Sequence, residues 1–284
     1  MPDRPSRRFR PNKSPRLRSS TPTPIRTFNG HLIHVHAVSL QTHGPKGPQI
    51  AIVHRLALPN PCIPGFDVVG EIVALADGSS LEPGQIAFGL SASTLDGGAA
   101  LVEYTAVPAD VLVTMSKGME MTDVASIPTG GSTAYQSVVS LDKHGDKVST
   151  NGGFGGVGTH GIQFAKIVGA HVVASCSRRN VEVCWSLGAD AGRPFDFVVD
   201  NVCNGFDLYC KMHTFSSSEA KYMVVGWGPS LAAIGFILMA SLTVEGKLKA
   251  VIDSSSSIEN TVNACRKLKS GRAVGKIVEE VAGK

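Results

Sequence analysis

The chain has 284 residues, 43% of them hydrophobic and 18% charged, which is the balance of a globular protein with one large core or two modest ones. Its formal net charge of +4 is uneven: Arg4, Arg7, Arg8, Arg10, Lys13, Arg16, Arg18 and Arg26 open the chain against Asp3 alone, and the rest carries 19 basic and 22 acidic residues. That excludes a nucleic-acid-binding body, and no apolar run reaches the ~18 residues of a membrane-spanning helix.

Residues 1–24 are rich in Arg, Pro and Ser and are expected to be disordered. Their composition also suits a mitochondrial transit peptide, but Pro2, Pro5, Pro11 and Pro15 oppose the amphipathic helix such a peptide needs. A cytoplasmic chain is expected, with mitochondrial targeting the alternative. The six cysteines, Cys62, Cys176, Cys184, Cys203, Cys210 and Cys265, show no C-x-x-C spacing and read as reduced packing residues.

From Leu32 the pattern is β. Leu32 to Val38 alternates in hydrophobicity. Pro64-Gly65-Phe66 is a turn feeding a strand from Asp67 to Ala74; Glu82-Pro83-Gly84-Gln85 is a turn before Ile86 to Gly89; Leu101 to Val107 is a further strand. Short strands separated by Gly/Pro turns predict a small barrel-like unit. After Met115 the period changes. Thr122 or Asp123 caps a short helix, and Ser132 to Val139 forms a second.

Val148-Ser149-Thr150-Asn151-Gly152-Gly153-Phe154-Gly155-Gly156-Val157-Gly158-Thr159 then reads as strand end, glycine turn and helix start. Gly153, Gly155 and Gly158 fit G-x-G-x-x-G: the first for the tight turn, the second for backbone approach to a pyrophosphate, the third for close helix packing. Ile162, Ala165, Ile167 and Val168 give the helix an apolar stripe, and His171 to Ser175 is the next strand. This β-α-β unit predicts a dinucleotide site, with phosphate at the helix N-terminus. A helix from Asn180 to Leu187 closes at Gly188. Strands follow at Phe195 to Asp200 and Lys221 to Gly226, a helix near residues 258–269 stops at Gly271, and a last strand starts at Gly275.

Residues 64–74, 97–108, 127–137, 152–190 and 245–278 together resemble the medium-chain dehydrogenase/reductase superfamily, and within it the zinc-free quinone oxidoreductase and enoyl reductase branch. The resemblance implies an α/β fold: a GroES-like partial β-barrel for the substrate over 25–120, a shortened NADP-binding Rossmann domain over 121–250, and a return to the substrate domain over 251–284. It also implies a homodimer joined through the Rossmann sheet edge.

Zinc alcohol dehydrogenases of the superfamily carry Gly-His-Glu where this chain has Gly65-Phe66-Asp67, and the cysteine cluster of a structural zinc is missing. His34 and His36 share a strand face, but no histidine spacing joins cysteine, so no metal is expected. An NAD-specific domain ends its second strand on Asp or Glu. Here Ser177, Arg178, Arg179 and Asn180 stand there, similar to the family's Ser-x-Arg-Asn pattern for NADP, and two guanidinium groups suit a 2′-phosphate. NADPH is therefore the expected cofactor. The resemblance assigns it Gly153, Phe154, Gly155, Gly156, Val157, Gly158 and Thr159 in the loop, Thr133 near the nicotinamide, and Gly226 and Lys276 at strand ends. Tyr135 is expected in the core.

The expected reaction is hydride transfer to a small electrophile, a quinone or an α,β-unsaturated carbonyl. No tyrosine precedes Tyr104 in the barrel region to act as proton donor. His43 is a candidate donor, with a plain loop histidine as the alternative, and no residue of this region matches the family's catalytic acid. Two departures from the family bear on activity. Only Ala191-Gly192-Arg193-Pro194 separates Asp190 from the strand at Phe195, so a strand-helix unit is lost, and Trp227-Gly228-Pro229 runs almost directly into the apolar stretch at 231–242. The alternative expectation is therefore a non-catalytic NADPH-binding protein or inactive remnant.

Overall fold

The computed structural model describes residues 30–41, 63–91, 100–139, 145–191, 195–202, 207–225 and 232–281. The basic segment 1–24, His43, Gly226 and the Trp227-Gly228-Pro229 step lie outside them.

The first sheet is organised around one long strand, β1 (Gly30–Leu40). On one side β1 pairs antiparallel with β2 (Asp67–Ala74), which continues to β3 (Ile86–Leu90) and β5 (Leu112–Thr114). On its other side, residues 30–34 pair with β4 (Tyr104–Pro108) and residues 37–40 with β11 (Lys276–Glu280). Strand β10 (Ile252–Ser257) adds parallel to β11, so the chain's end completes the sheet its beginning started. Alternation along β1 places Ile33, Val35 and Val38 inside with Val68, Ile72, Ala87 and Val107, a closed apolar interior. Gly65, at φ 95°, makes the turn into β2; a Cβ there would lie 2.7 Å from Val38 Cγ1.

The second sheet is parallel, in the order β7-β6-β8-β9: β7 (His171–Ser175), β6 (Lys147–Asn151), β8 (Phe195–Asp200) and β9 (Ser216–Val224). The chain steps from β6 to β7 on one side and then to β8 on the other, which creates the crevice where α/β sheets bind ligands. Among the described residues β7 is an outer strand, and no strand stands between Asp190 and β8 in sequence, as the short connection predicts. The GroES-like and Rossmann architectures thus both form.

Helices α1 (Met121–Ala125), α2 (Pro128–Val139), α3 (Gly158–Ile167), α4 (Val181–Ser186), α5 (Asp207–Lys211), α6 (Ala232–Val244) and α7 (Thr261–Lys269) complete the order. One core links the two sheets: Ala37, Val69 and Phe88 on the outer barrel face, Ile127, Ala134 and Val138, then Val148, Ile162 and Val172. None of these helices is long and apolar enough to cross a membrane.

Several local expectations are corrected. The cap position of helix α1 lies two or three residues before the expected one: Glu120 precedes the helix without a side-chain cap, and Thr122 and Asp123 lie within it. The next helix starts at Pro128, not Ser132, because proline suits the first helical turn. The stripe on α3 fails at its end. Ile162 and Ala165 are buried, but Ile167 and Val168 are 40% and 41% exposed, and Phe164 packs in their stead. Leu101 to Glu103 is a bend, and the strand there starts at Tyr104. Asn180 belongs to a 3-10 turn (Arg178–Asn180) ahead of α4.

Candidate active site

Each glycine of the fingerprint solves a different packing problem. The tight turn is at Gly152, not Gly153: Gly152 alone among the loop's glycines has a positive φ, 75°. A Cβ on Gly153 would sit 2.6 Å from Ala174 Cβ on β7, so this glycine lets the loop lie against the neighbouring strand. A Cβ on Gly158 would sit 2.2 Å from the Gly152 carbonyl oxygen, so this one lets α3 start directly over the turn. Gly155 meets nothing nearer than that oxygen, at 3.6 Å, and its outer side is open.

Around this opening several buried polar atoms have no hydrogen-bond partner: Thr159 Oγ1 at the start of α3, Asn180 Nδ2 after β7, and Asn201 Oδ1 after β8. Buried polar groups are rarely left so. No side chain caps α3. An open glycine, an uncapped helix start and unpaired donors and acceptors converging on a switch point fit a dinucleotide. Arg178 and Arg179 are exposed and follow Ser177 just after β7, whose last carbonyl accepts the Gly152 and Gly153 N–H groups, with Asn180 buried between them and α4 in sequence.

A hydrogen-bonded row braces the sheet end beneath the loop. Ser175 Oγ on β7 donates to Asn151 Oδ1 on β6 at 2.5 Å; Asn151 Nδ2 donates to Asp200 Oδ1 on β8 at 2.8 Å; Tyr222 OH on β9 donates to Asp200 Oδ2 at 2.8 Å. All four strands are thereby tied at one level, which holds the glycine turn's base in position.

A buried ion pair within the barrel sheet stands where that sheet meets the loop. Lys276 Nζ, at the start of β11, lies 2.9 Å from Asp67 Oδ2, at the start of β2, and the two side chains are 6% and 0% exposed. The other Asp67 oxygen accepts from the Thr129 backbone N–H at 3.0 Å and from the Thr129 hydroxyl, so the carboxylate is fully engaged. Just before Lys276, the Gly275 N–H donates to the Phe154 carbonyl at 2.7 Å, and the Lys276 stem packs where a Cβ on Gly156 would lie. Lys276, expected at the cofactor, is thus placed under the loop with its ammonium on Asp67. Thr133 is half-buried on α2, and Tyr135 packs edge-on against Phe164 in the core, as expected.

His160 sits behind the loop, 1% exposed, its Nδ1 2.8 Å from the Gly156 carbonyl oxygen. Burial pushes its pKa down to about 4, only partly opposed by that carbonyl bond, so the ring is neutral. Burial likewise pushes the Cys184 thiol up to about 12, with the neighbouring Cys176 thiol adding to the shift, which makes Cys184 an inert packing group.

Sequence reading missed Asp67 and Thr129 as site residues. An acid in the apolar run Phe66-Asp67-Val68-Val69 signals a buried carboxylate, but its partner is 209 positions away. Asp200 and Tyr222 carried no comparable signal.

A trans-enoyl reductase of Aspergillus terreus is 34% identical over 309 residues, covering 88% of this chain and 86% of that protein. The chain belongs to the medium-chain dehydrogenase/reductase superfamily, in its quinone oxidoreductase and enoyl reductase branch. Within this superfamily, a chloroplast envelope quinone oxidoreductase homolog of Arabidopsis thaliana is 28% identical, covering 91% of this chain and 92% of its own. The family described as zinc-binding dehydrogenase matches residues 236–278. The quinone oxidoreductase of Coxiella burnetii superposes with a TM-score of 0.82 at 25% identity, covering 92% of this chain and 93% of its own. The superfamily membership makes the chain an oxidoreductase that uses a nicotinamide cofactor. An alignment of 309 positions exceeds the 284 residues of the chain, so it runs across gaps in this sequence.

Proposed function

We propose that this oxidoreductase uses NADPH to reduce the activated double bond of an α,β-unsaturated carbonyl, or a quinone, without zinc. The observation that carries the cofactor choice is the end of β7. Ser177, Arg178, Arg179 and Asn180 follow it with no carboxylate, both arginines are exposed, and the strand's last carbonyl, Ser175 O, accepts the Gly152 and Gly153 N–H groups of the loop. Guanidinium forks match a 2′-phosphate, whereas a bare ribose hydroxyl calls for an acid. The similar trans-enoyl reductase and quinone oxidoreductase support the acceptor class.

The bound cofactor supplies a hydride. The protein's part is placement: Gly155 and the start of α3 receive the phosphates, Thr133 and the strand ends border the reacting end, and the Gly275 N–H bond to the Phe154 carbonyl, with the Lys276 stem against Gly156, seats the loop on the barrel. In an enone the hydride goes to the β-carbon and a proton to the α-carbon. Zinc does not suit the place where its superfamily relatives would carry it. Phe66 offers no ligand atom and is buried, and the Asp67 oxygens are engaged by Lys276 and Thr129. A substrate side over 25–120 and 251–284 and a cofactor side over 121–250 follow from this reading.

Nicotinamide fluorescence on titration with NADPH and with NADH tests the cofactor, and NADPH consumption with an enone, an enoyl thioester and a quinone tests the reaction. Saturable NADPH binding, much tighter than NADH, with consumption by one acceptor is the expected result. Equal affinity for both cofactors overturns the arginine assignment. One observation favours a second reading: β7 stands at the sheet edge among the described residues, where the strand-helix unit is missing. NADPH binding with no consumption by any of the three acceptors supports a cofactor-binding protein without turnover.

A further inference from the structure

Away from the cofactor loop, on the outer face of the barrel, two histidines and a glutamate converge. His34 and His36 are two apart on β1 and share a face. Glu71 on β2 is the direct cross-strand partner of His34. One ligand atom from each of the three lies within 4.8 Å of the others, and all three side chains are half-buried. The sequence placed His34 and His36 together, but Glu71 joins them only through the strand pairing.

The local backbone is built to bring them together. Gly70 stands where β2 passes closest to β1: a Cβ there would lie 2.1 Å from the His34 carbonyl oxygen. Pairing then skips His36, because Val35 faces Gly70 and Ala37 faces Val69, so His36 is the extra residue of a β-bulge. Bulges bend a strand and re-aim a side chain. The His36 backbone is nonetheless held, since its carbonyl accepts the Val281 N–H at 2.8 Å. The His34 ring is fixed from the other side. Tyr104 on β4, its partner in register, stacks on it with centroids 4.9 Å apart and planes 27° from parallel. The two imidazoles meet edge to face with centroids 5.3 Å apart.

We propose that His34, His36 and Glu71 form a binding site for a divalent first-row transition-metal ion of the zinc type. Two imidazoles and one carboxylate are a ligand set for Zn²⁺ or its neighbours, and not for Mg²⁺ or Ca²⁺, which require oxygen ligands. Three protein ligands leave one tetrahedral position for water, and the half-buried setting lets water reach it. The site is separate from the superfamily's zinc position. Glu71 lies four residues along β2 from Asp67, about 13 Å at ordinary strand rise, and the buried Phe66 has no part in it. A bound ion clips β1 to β2 at the bulge, where the ladder is interrupted.

The test uses the full chain after treatment with a chelator. Co²⁺ is titrated while visible d–d absorption is recorded, Zn²⁺ displaces it, and thermal unfolding is followed with and without Zn²⁺. One equivalent of Co²⁺, without thiolate charge transfer, and a Zn²⁺-dependent rise in Tm are expected. His36→Ala and the near-isosteric Glu71→Gln each weaken Zn²⁺ binding by at least about tenfold, whereas His171→Ala, on β7, leaves it unchanged. If His36→Ala does not fold, the Glu71→Gln result decides. Co²⁺ absorption that survives Glu71→Gln, or a folded wild-type chain with neither absorption nor a Tm shift, overturns the proposal. The result does not depend on the cofactor reading, because the probe is the metal alone.

Discussion

Lys276 Nζ lies 2.9 Å from Asp67 Oδ2 across 209 positions of sequence, and neither side chain is more than 6% exposed. A charge pair this deep persists only when each group is satisfied, and Asp67 reaches that state through Thr129 as well. Asp67→Asn keeps the shape but leaves the Lys276 ammonium buried without a counter-charge. It is expected to cost about 3–5 kcal/mol in denaturant unfolding. The paired change Asp67→Leu with Lys276→Met removes both charges and is expected to cost less than Asp67→Asn alone. A single variant as stable as wild type would show that the pair does not stabilise the fold.

His160 makes stability depend on pH in one direction. In the folded chain its pKa is pushed down to about 4 by burial, while in the unfolded chain it keeps the ordinary value of 6.5. Between those values the unfolded state takes up a proton that the folded state does not, so stability falls as pH drops from 6.5 towards 4. The loss reaches at most about 3 kcal/mol. His160→Gln removes this component, so the difference between wild type and variant should narrow as pH falls through this window. A difference that is flat from pH 7 to 4 would contradict it.

Much of the scaffold was legible because its signals are local. The glycine fingerprint, the boundaries of β7, the stop at Gly188 with φ 100° and the stop at Gly271 with φ 67° all follow from residue type and spacing. Gly152 shows the limit. G-x-G-x-x-G assigns the turn to Gly153, yet in a run of two glycines either can take the positive φ, and the approach of Ala174 to Gly153 decides between them. The helix start at Pro128 was missed because the glycine pair Gly130-Gly131 lowers helix propensity; tertiary contact overrides it, since both glycines let neighbours close in, Gly156 on one and Met239 on the other. The Asp67–Lys276 pair and the meeting of Glu71 with His34 are long-range registers, and no local pattern encodes them.

The glycines of the loop are expected to separate binding from folding. Gly155→Ala places a Cβ in ordinary contact, 3.6 Å from the Gly152 carbonyl oxygen, so the chain should fold while the methyl occupies the space a phosphate needs. NADPH affinity should drop by about tenfold or more, near 1.4 kcal/mol, with Tm nearly unchanged. Gly158→Ala meets backbone at 2.2 Å and should destabilise by about 1–3 kcal/mol. Gly152→Ala is strained by both its φ of 75° and Val202 Cγ2 at 2.7 Å, and should also unfold more readily. Differential scanning calorimetry beside cofactor fluorescence reads both axes. A Gly155→Ala protein that binds NADPH like wild type would remove the phosphates from this opening.

Arg178 and Arg179 provide the most direct test of cofactor choice, because both are exposed and their replacement should change stability by no more than about 0.5 kcal/mol. Each guanidinium that bonds a 2′-phosphate contributes about 1.5–3 kcal/mol as a charge-assisted hydrogen bond. The single variants Arg178→Ala and Arg179→Ala should therefore weaken NADPH binding by roughly ten- to a hundredfold. NADH, which has no 2′-phosphate, should bind each variant as it binds wild type, so the preference collapses from one side only. Added salt should mimic the substitutions in part, since both groups lie in solvent where ions screen them. If NADH affinity falls together with NADPH affinity, the arginines act on the loop as a whole rather than on the phosphate. If neither falls, selection lies elsewhere, and Ser177 with the buried Asn180 becomes the next place to look.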